Sequence, residues 1–144
     1  MFYITKIFHF EAAHALNGYD GKCRNIHGHS YELQVTVKGM PLNEPGNPKN
    51  GMVIDFHDLK TIVNQEVIEK LDHALILGNN MPENFVKITK QSFDKVVELS
   101  YQPTTENMLA DFASRIKKCL PQHVDLHSVT LRETRDNIAE WREE

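Results

Sequence analysis

Apolar and polar residues alternate from the start of the chain, with Phe2, Ile4, Phe8, Phe10 and Ala12 on one parity and Lys6 the single exception. A period of two predicts a strand with one face in a core. His14 continues the apolar parity, so this strand is expected to carry an imidazole inward at its end. After a turn at residues 17–21, a second alternation runs through His27, His29, Tyr31, Leu33, Val35 and Val37. One strand face therefore begins with two imidazoles and continues as core.

Pro41, Pro45, Gly46, Pro48 and Gly51 predict a long loop before the short apolar stretch Met52 to Ile54. Asp58 is expected to cap a helix reaching about Leu71, because Leu59, Ile62, Val63 and Val67 recur at helical spacing. Residues 78–102 read as loop followed by one strand near Val96 to Leu99. Pro103, Thr104 and Thr105 open a second helix, with Met108, Leu109, Phe112, Ala113 and Ile116 on its apolar side and Pro121 closing it. Val129, Leu131 and Glu133 share one parity of a further strand, and Ile138 to Arg142 forms the last. Strands that flank a run of helices predict a single α+β domain over residues 1–144 with a mainly antiparallel sheet.

Composition narrows the choice of function. A hydrophobic content of 40% over 144 residues suits one core. The formal charge of -4 argues against a nucleic-acid or membrane-surface binder, which needs a basic face, so an anionic substrate must meet local basic residues. The opening MFYITKIFHF lacks the features of a signal peptide and no window approaches a membrane span, so a soluble, cytoplasmic protein is expected. Of the two cysteines, Cys119 continues the apolar helical pattern and reads as a small buried hydrophobe. Cys23 stands among Gly21, Lys22, Arg24 and Asn25, a polar and locally basic stretch that suits a reactive thiol.

The chemistry concentrates between Cys23 and His29. His27 and His29, two apart on a strand, point to one side and can share an ion, with His14 as the third ligand from the preceding strand. His9 has the opposite parity. Three imidazoles with an open fourth position are the pattern of catalytic zinc, whereas an isolated pair of this kind is as well explained by hydrogen-bonded turn residues. Cys23 can be read as a fourth ligand or as a proton-abstracting base. Asp72 and His73, just past a helix end, form a second candidate pair that carries little weight alone. Glu133 brings a carboxylate toward a buried strand end, where its partner is an arginine such as Arg132 or Arg135, or the paired N–H donors of a heterocycle.

Six ordered motifs spanning nearly the whole chain resemble the family of 6-pyruvoyl- and 6-carboxy-tetrahydropterin synthases: F-x-F-E-A-A-H ending at His14, C-x-x-x-H-G-H from Cys23, G-M-V-I-D-F from Gly51, L-D-H ending at His73, P-T-T-E-N from Pro103 and R-E-T from Arg132. The resemblance implies the tunnelling fold (T-fold), a four-stranded, mainly antiparallel sheet with two helices on one face, whose sheets join into the barrel of a homohexamer with active sites between subunits. It implies Zn2+ on His14, His27 and His29, a catalytic base at Cys23, a proton relay at Asp72 and His73, a pterin anchor at Glu133 and pocket-lining roles for Thr105 and Glu106. The substrate it implies is 7,8-dihydroneopterin triphosphate. The three-residue spacer between Cys23 and His27 is similar to the carboxy-forming enzymes of the 7-deazaguanine (queuosine) pathway, which release acetaldehyde. Thr104 to Asn107 and Asn137 to Ile138 are similar to the pyruvoyl-forming enzymes, and Ala15 stands where many carboxy-forming members have arginine. A third reading is a non-catalytic barrel subunit that binds pterin or purine and keeps zinc for structure.

Overall fold

The computed structural model describes residues 1–144. Two long strands, β1 (Phe2–His14) and β2 (His27–Gly39), pair antiparallel from Phe2 opposite Gly39 to His14 opposite His27. β5 (Val124–Arg132) pairs antiparallel with β2, and β6 (Ile138–Arg142) with β5. These four strands are the predicted antiparallel set. Two more extend the sheet beyond β1, since β3 (Ala74–Leu77) and β4 (Val96–Glu98) add in parallel to give the order β4-β3-β1-β2-β5-β6. β3 is apolar throughout and carries no alternation, which is why the pattern did not announce it.

The core lies on one face of this sheet. Phe8, Phe10 and Ala12 of β1, Tyr31, Leu33, Val35 and Val37 of β2, and Val129 and Leu131 of β5 are all buried, as their parity predicts. Phe2 has the same parity but lies beyond the cover of the helices and is 56% exposed. Helix α4 (Thr105–Cys119) closes the face with Met108, Leu109, Phe112, Ala113 and Ile116. Its N-cap is Thr104, whose hydroxyl accepts from the Asn107 backbone N–H. Cys119 is the last residue of α4 and is exposed, so the expectation of a buried thiol fails: the amphipathic stripe ends at Ile116.

The other covering helix starts earlier than expected. α1 (Phe56–Val63) is capped by Asp55, which keeps an extended backbone and accepts from the His57 N–H at 2.8 Å, while Asp58 sits inside the first turn. A π-helical turn, Asn64–Ile68, and a final α-turn, α2 (Glu69–Leu71), continue it. The wide turn has a packing reason. Leu59, Val63, Val67 and Leu71 are spaced by four and are almost completely buried, yet in a regular helix each four-residue step drifts by about 40°. One wider turn rotates the later residues back toward the sheet.

Residues 78–102 hold an element that sequence reading missed, helix α3 (Glu83–Ser92). Only Val86 and Thr89 of α3 are buried, and Ile88 is 60% exposed, so its pattern resembles that of a polar loop. No helix of the chain is long and apolar enough to cross a membrane.

Phe112 is fully buried and meets Phe10 edge-on at 6.5 Å, so Phe112→Ala should lower unfolding stability by about 3 to 5 kcal/mol. Cys119→Ser should change it by no more than about 0.5 kcal/mol. Urea denaturation of the two variants measures both, and a large cost for Cys119→Ser would place that thiol back in the core.

Candidate metal centre and its surroundings

Strand register builds the centre. Because β1 and β2 stay in step to their ends, His14 lies directly opposite His27, and Ala12 lies opposite His29. His29 is two residues from His27 and so shares its face. The three rings bring one nitrogen each within 4.8 Å of one another. The predicted trio is thus assembled by the hairpin itself.

Hydrogen bonds orient the rings. His14 Nδ1–H donates to the carbonyl of Pro103 at 2.8 Å, and His27 Nδ1–H donates to the carbonyl of Asn25 at 2.7 Å. The two Nε2 atoms are left facing each other at 3.1 Å, an approach that a cation shared between them would satisfy. His29 Nε2 is buried without a hydrogen-bond partner, with Glu133 Oε1 3.3 Å away but poorly aligned. Burial lowers the pKa of both His14 and His29, which keeps their imidazoles neutral and available as ligands. The donor set therefore fits a divalent metal on chemical grounds: three converging imidazoles, two of them held by carbonyls behind them.

Around the trio, the chain gathers two of the three residues expected to meet a pterin. Thr105, in the first turn of α4, donates its hydroxyl to Glu133 Oε2 at 2.6 Å. Glu133 follows the last residue of β5, and its side chain is 17% exposed. Neither Arg132 nor Arg135 pairs with it: Arg132 turns to Glu32 and to the Arg135 carbonyl. Its two oxygens face the Thr105 hydroxyl and His29 Nε2 instead. Glu106 is not part of this cluster, being exposed with no hydrogen-bond or ion-pair partner.

Cys23 lies in a 3-10 turn (Lys22–Arg24), half-buried and with a free thiol. Its carbonyl accepts from the Leu16 N–H at 2.9 Å, which ties the turn to the end of β1. The Tyr31 hydroxyl was not anticipated. It is buried without a partner, and its ring sits edge-on to His14 and His29 at 6.2 and 5.4 Å. Burial first, then the charges of Glu133 and Cys23, push its pKa far above the ordinary phenol value. Parity marked Tyr31 only as core, and no sequence signal distinguished its hydroxyl.

Asp72 and His73 do form a pair, with His73 Nδ1 3.1 Å from Asp72 Oδ1. The Glu11 backbone N–H donates to the same oxygen at 2.9 Å and holds the Asp72 carboxyl below its usual pKa. His73 has φ of 59° and a side chain 77% exposed. No hydrogen bond or ion pair joins it to the three imidazoles. With Glu11, His29, Ser30, Leu75 and Lys95 it lines a cavity of about 800 Å³.

Over residues 3–144 the sequence matches the family described as 6-pyruvoyl tetrahydropterin synthase. A Haemophilus influenzae protein named 6-carboxy-5,6,7,8-tetrahydropterin synthase is 36% identical over 145 residues, covering 99% of this chain and 100% of its own. A protein of the same name from Aquifex aeolicus is 32% identical, with 98% of each chain covered. The solved structure of Caenorhabditis elegans 6-pyruvoyl tetrahydropterin synthase superposes with a TM-score of 0.68 at 25% identity, covering 99% of this chain and 96% of its own. An uncharacterized protein from Wolinella succinogenes shares the fold, with a TM-score of 0.78 at 21% identity over 99% of this chain and 98% of its own.

Replacing one imidazole tests the metal assignment. Incubated with zinc and desalted, the unaltered chain should retain one equivalent by elemental analysis, and His27→Ala should retain far less while keeping its circular dichroism spectrum. Stoichiometric metal in His27→Ala would remove His27 from the ligand set.

Proposed function

The chain belongs to the 6-pyruvoyl tetrahydropterin synthase family, and from that premise we propose that it converts 7,8-dihydroneopterin triphosphate to 6-carboxy-5,6,7,8-tetrahydropterin, releasing acetaldehyde and triphosphate. The observation that carries the reading is the convergence of the His14 and His27 Nε2 atoms, beside His29 and next to a carboxylate bound by Thr105. Relatives named for the carboxy product, aligned over nearly the full chain, support that product over the pyruvoyl one. Zinc is the metal this nitrogen-only donor set favours for non-redox chemistry.

Held by His14, His27 and His29, zinc would polarise the hydroxyls of the substrate side chain and so acidify the neighbouring carbon. The protein's own groups do the rest. Glu133 accepts the paired N–H donors at the edge of the pterin ring, and Thr105 keeps that carboxylate turned toward the ring. Cys23 takes the proton from the activated carbon, within the loop that joins the two ligand-bearing strands. His73, oriented by Asp72, carries a proton to or from the side-chain oxygen. Glu106, exposed next to Thr105 on α4, would meet the substrate only from the solvent side.

Within one chain no hydrogen bond or ion pair joins His73 to the imidazoles, and this supports assigning the relay to a second subunit. Sheet edges suit such an assembly: β4 and β6 end the sheet, and each leaves a row of backbone groups without a strand partner. Joining of these edges into a ring, and stacking of rings as a homohexamer, would put the His73 cavity of one subunit against the metal side of another.

Incubation of the zinc-loaded protein with 7,8-dihydroneopterin triphosphate should release acetaldehyde and yield a pterin with the mass of the carboxylated product. A pyruvoyl product without acetaldehyde would transfer the chain to the biopterin-forming branch, and absence of turnover would leave a binding subunit. Glu133→Gln should weaken pterin binding with normal metal content, and equal affinity would remove the anchor role. Cys23→Ala and His73→Ala should each be inactive alone. Reassembled from a one-to-one mixture, they should recover toward about a quarter of full activity, the share of sites with one sound half from each variant. No recovery would show that both residues act within one chain.

A further inference from the structure

The loop of residues 15–26 carries Cys23 between β1 and β2, and most of its hydrogen bonds are internal. Leu16 N–H donates to Cys23 O at 2.9 Å and Tyr19 N–H to Leu16 O at 3.3 Å, while the 3-10 turn closes through Arg24 N–H to Gly21 O and Asn25 N–H to Lys22 O, each at 3.2 Å. Its hydrogen bonds to a distant segment are confined to one residue, Asn17. Asn17 Nδ2 donates to the Asn80 carbonyl at 2.7 Å, and Asn80 Nδ2 returns a bond to the Asn17 carbonyl at 3.1 Å.

Asn80 also reaches a third segment. Its Nδ2 donates to Gln102 Oε1 at 2.7 Å, and the Gln102 carbonyl in turn accepts from Thr104 N–H at 2.8 Å and from Asn107 Nδ2 at 3.0 Å. The next carbonyl along, that of Pro103, is the one that orients His14, and Thr105 follows two residues later. One primary amide therefore uses both hydrogens to join the Cys23 loop to the segment that aims His14 and holds Glu133. Ordinary loop packing does not need a reciprocal amide pair whose second arm ends at that segment.

We propose that Asn80 is a positioning residue that sets the Cys23 loop at its working distance from the imidazole cluster. The inference rests on the reading of Cys23 as the base. It explains why a turn with few distant bonds holds a group whose displacement by about 1 Å is enough to cost a hundredfold in rate. Asn80 acts through Asn17 and Leu16, and touches neither metal nor substrate.

The test is Asn80→Asp in a Cys119→Ser background, which leaves Cys23 as the single thiol. A carboxylate offers no hydrogen to the Asn17 carbonyl and sets acceptor against acceptor, whereas Gln102 can turn its own amide to donate and so keep the second arm. Expected are faster hydrogen exchange at the Leu16 amide, altered alkylation of Cys23 by iodoacetamide, and a kcat lowered by about ten- to a hundredfold. KM, zinc content and melting temperature should stay as in the parent. Asn17→Ala, which removes the other limb, should reproduce the pattern. Unchanged exchange would overturn the clamp, and faster exchange with unchanged kcat would overturn its positioning role. Loss of zinc together with kcat would also overturn it, since the clamp is assigned to the thiol loop and not to the imidazoles. If the parent protein itself gives no turnover, the reading of Cys23 as base fails, and the exchange and alkylation rates still decide the clamp.

Discussion

The pairing of β1 with β2 is the constraint on which the rest depends. Over 13 residues it keeps the buried parity of one strand against the buried parity of the other, and a slip by one residue would turn His14 to the opposite face. The same register that buries Phe10 against Tyr31, with ring centroids at 4.9 Å, also seats His14 opposite His27. Core and metal centre are thus successive layers of one hairpin. Any force that holds the aromatic layer also holds the imidazoles above it.

From that hairpin the surrounding elements take defined parts. α4 begins where the Pro103 carbonyl can reach His14, and its first turn supplies the Thr105 hydroxyl. β5 runs along β2 and ends where Glu133 meets that hydroxyl. These contacts join residues far apart in sequence, so the centre depends on the completed fold, although the three imidazoles themselves depend only on local pairing. Removal of one imidazole should therefore disturb chemistry more than architecture.

Sequence patterning made the imidazole trio legible because strand parity is a short-range rule: His14, His27 and His29 each continue a run of apolar residues. The partnership of Thr105 with Glu133 was legible only as two separate residues, since no local rule relates positions 28 apart. The helix start was misread at Asp58 because two aspartates offer the same side chain, and only the extended backbone of Asp55 decides between them. α3 escaped notice because few of its residues are buried, and the Asn80 amide escaped because a polar turn residue has no periodicity to betray it. The position of His73 beside Glu11 follows from the parallel docking of β3 on β1, a long-range event that a reading of the L-D-H segment does not contain.

The π turn in the helix over Leu59 to Leu71 sets more than packing. It fixes the angular phase at which the chain leaves the helix, and hence where the Asp72 carboxylate meets the Glu11 N–H and where His73 emerges. The wide turn holds about one residue more than an α turn, so deleting one residue there would give an ordinary helix from which the chain leaves at nearly the same angle. The turn is therefore the one place along this helix where a residue can be gained or lost without redirecting the chain that follows.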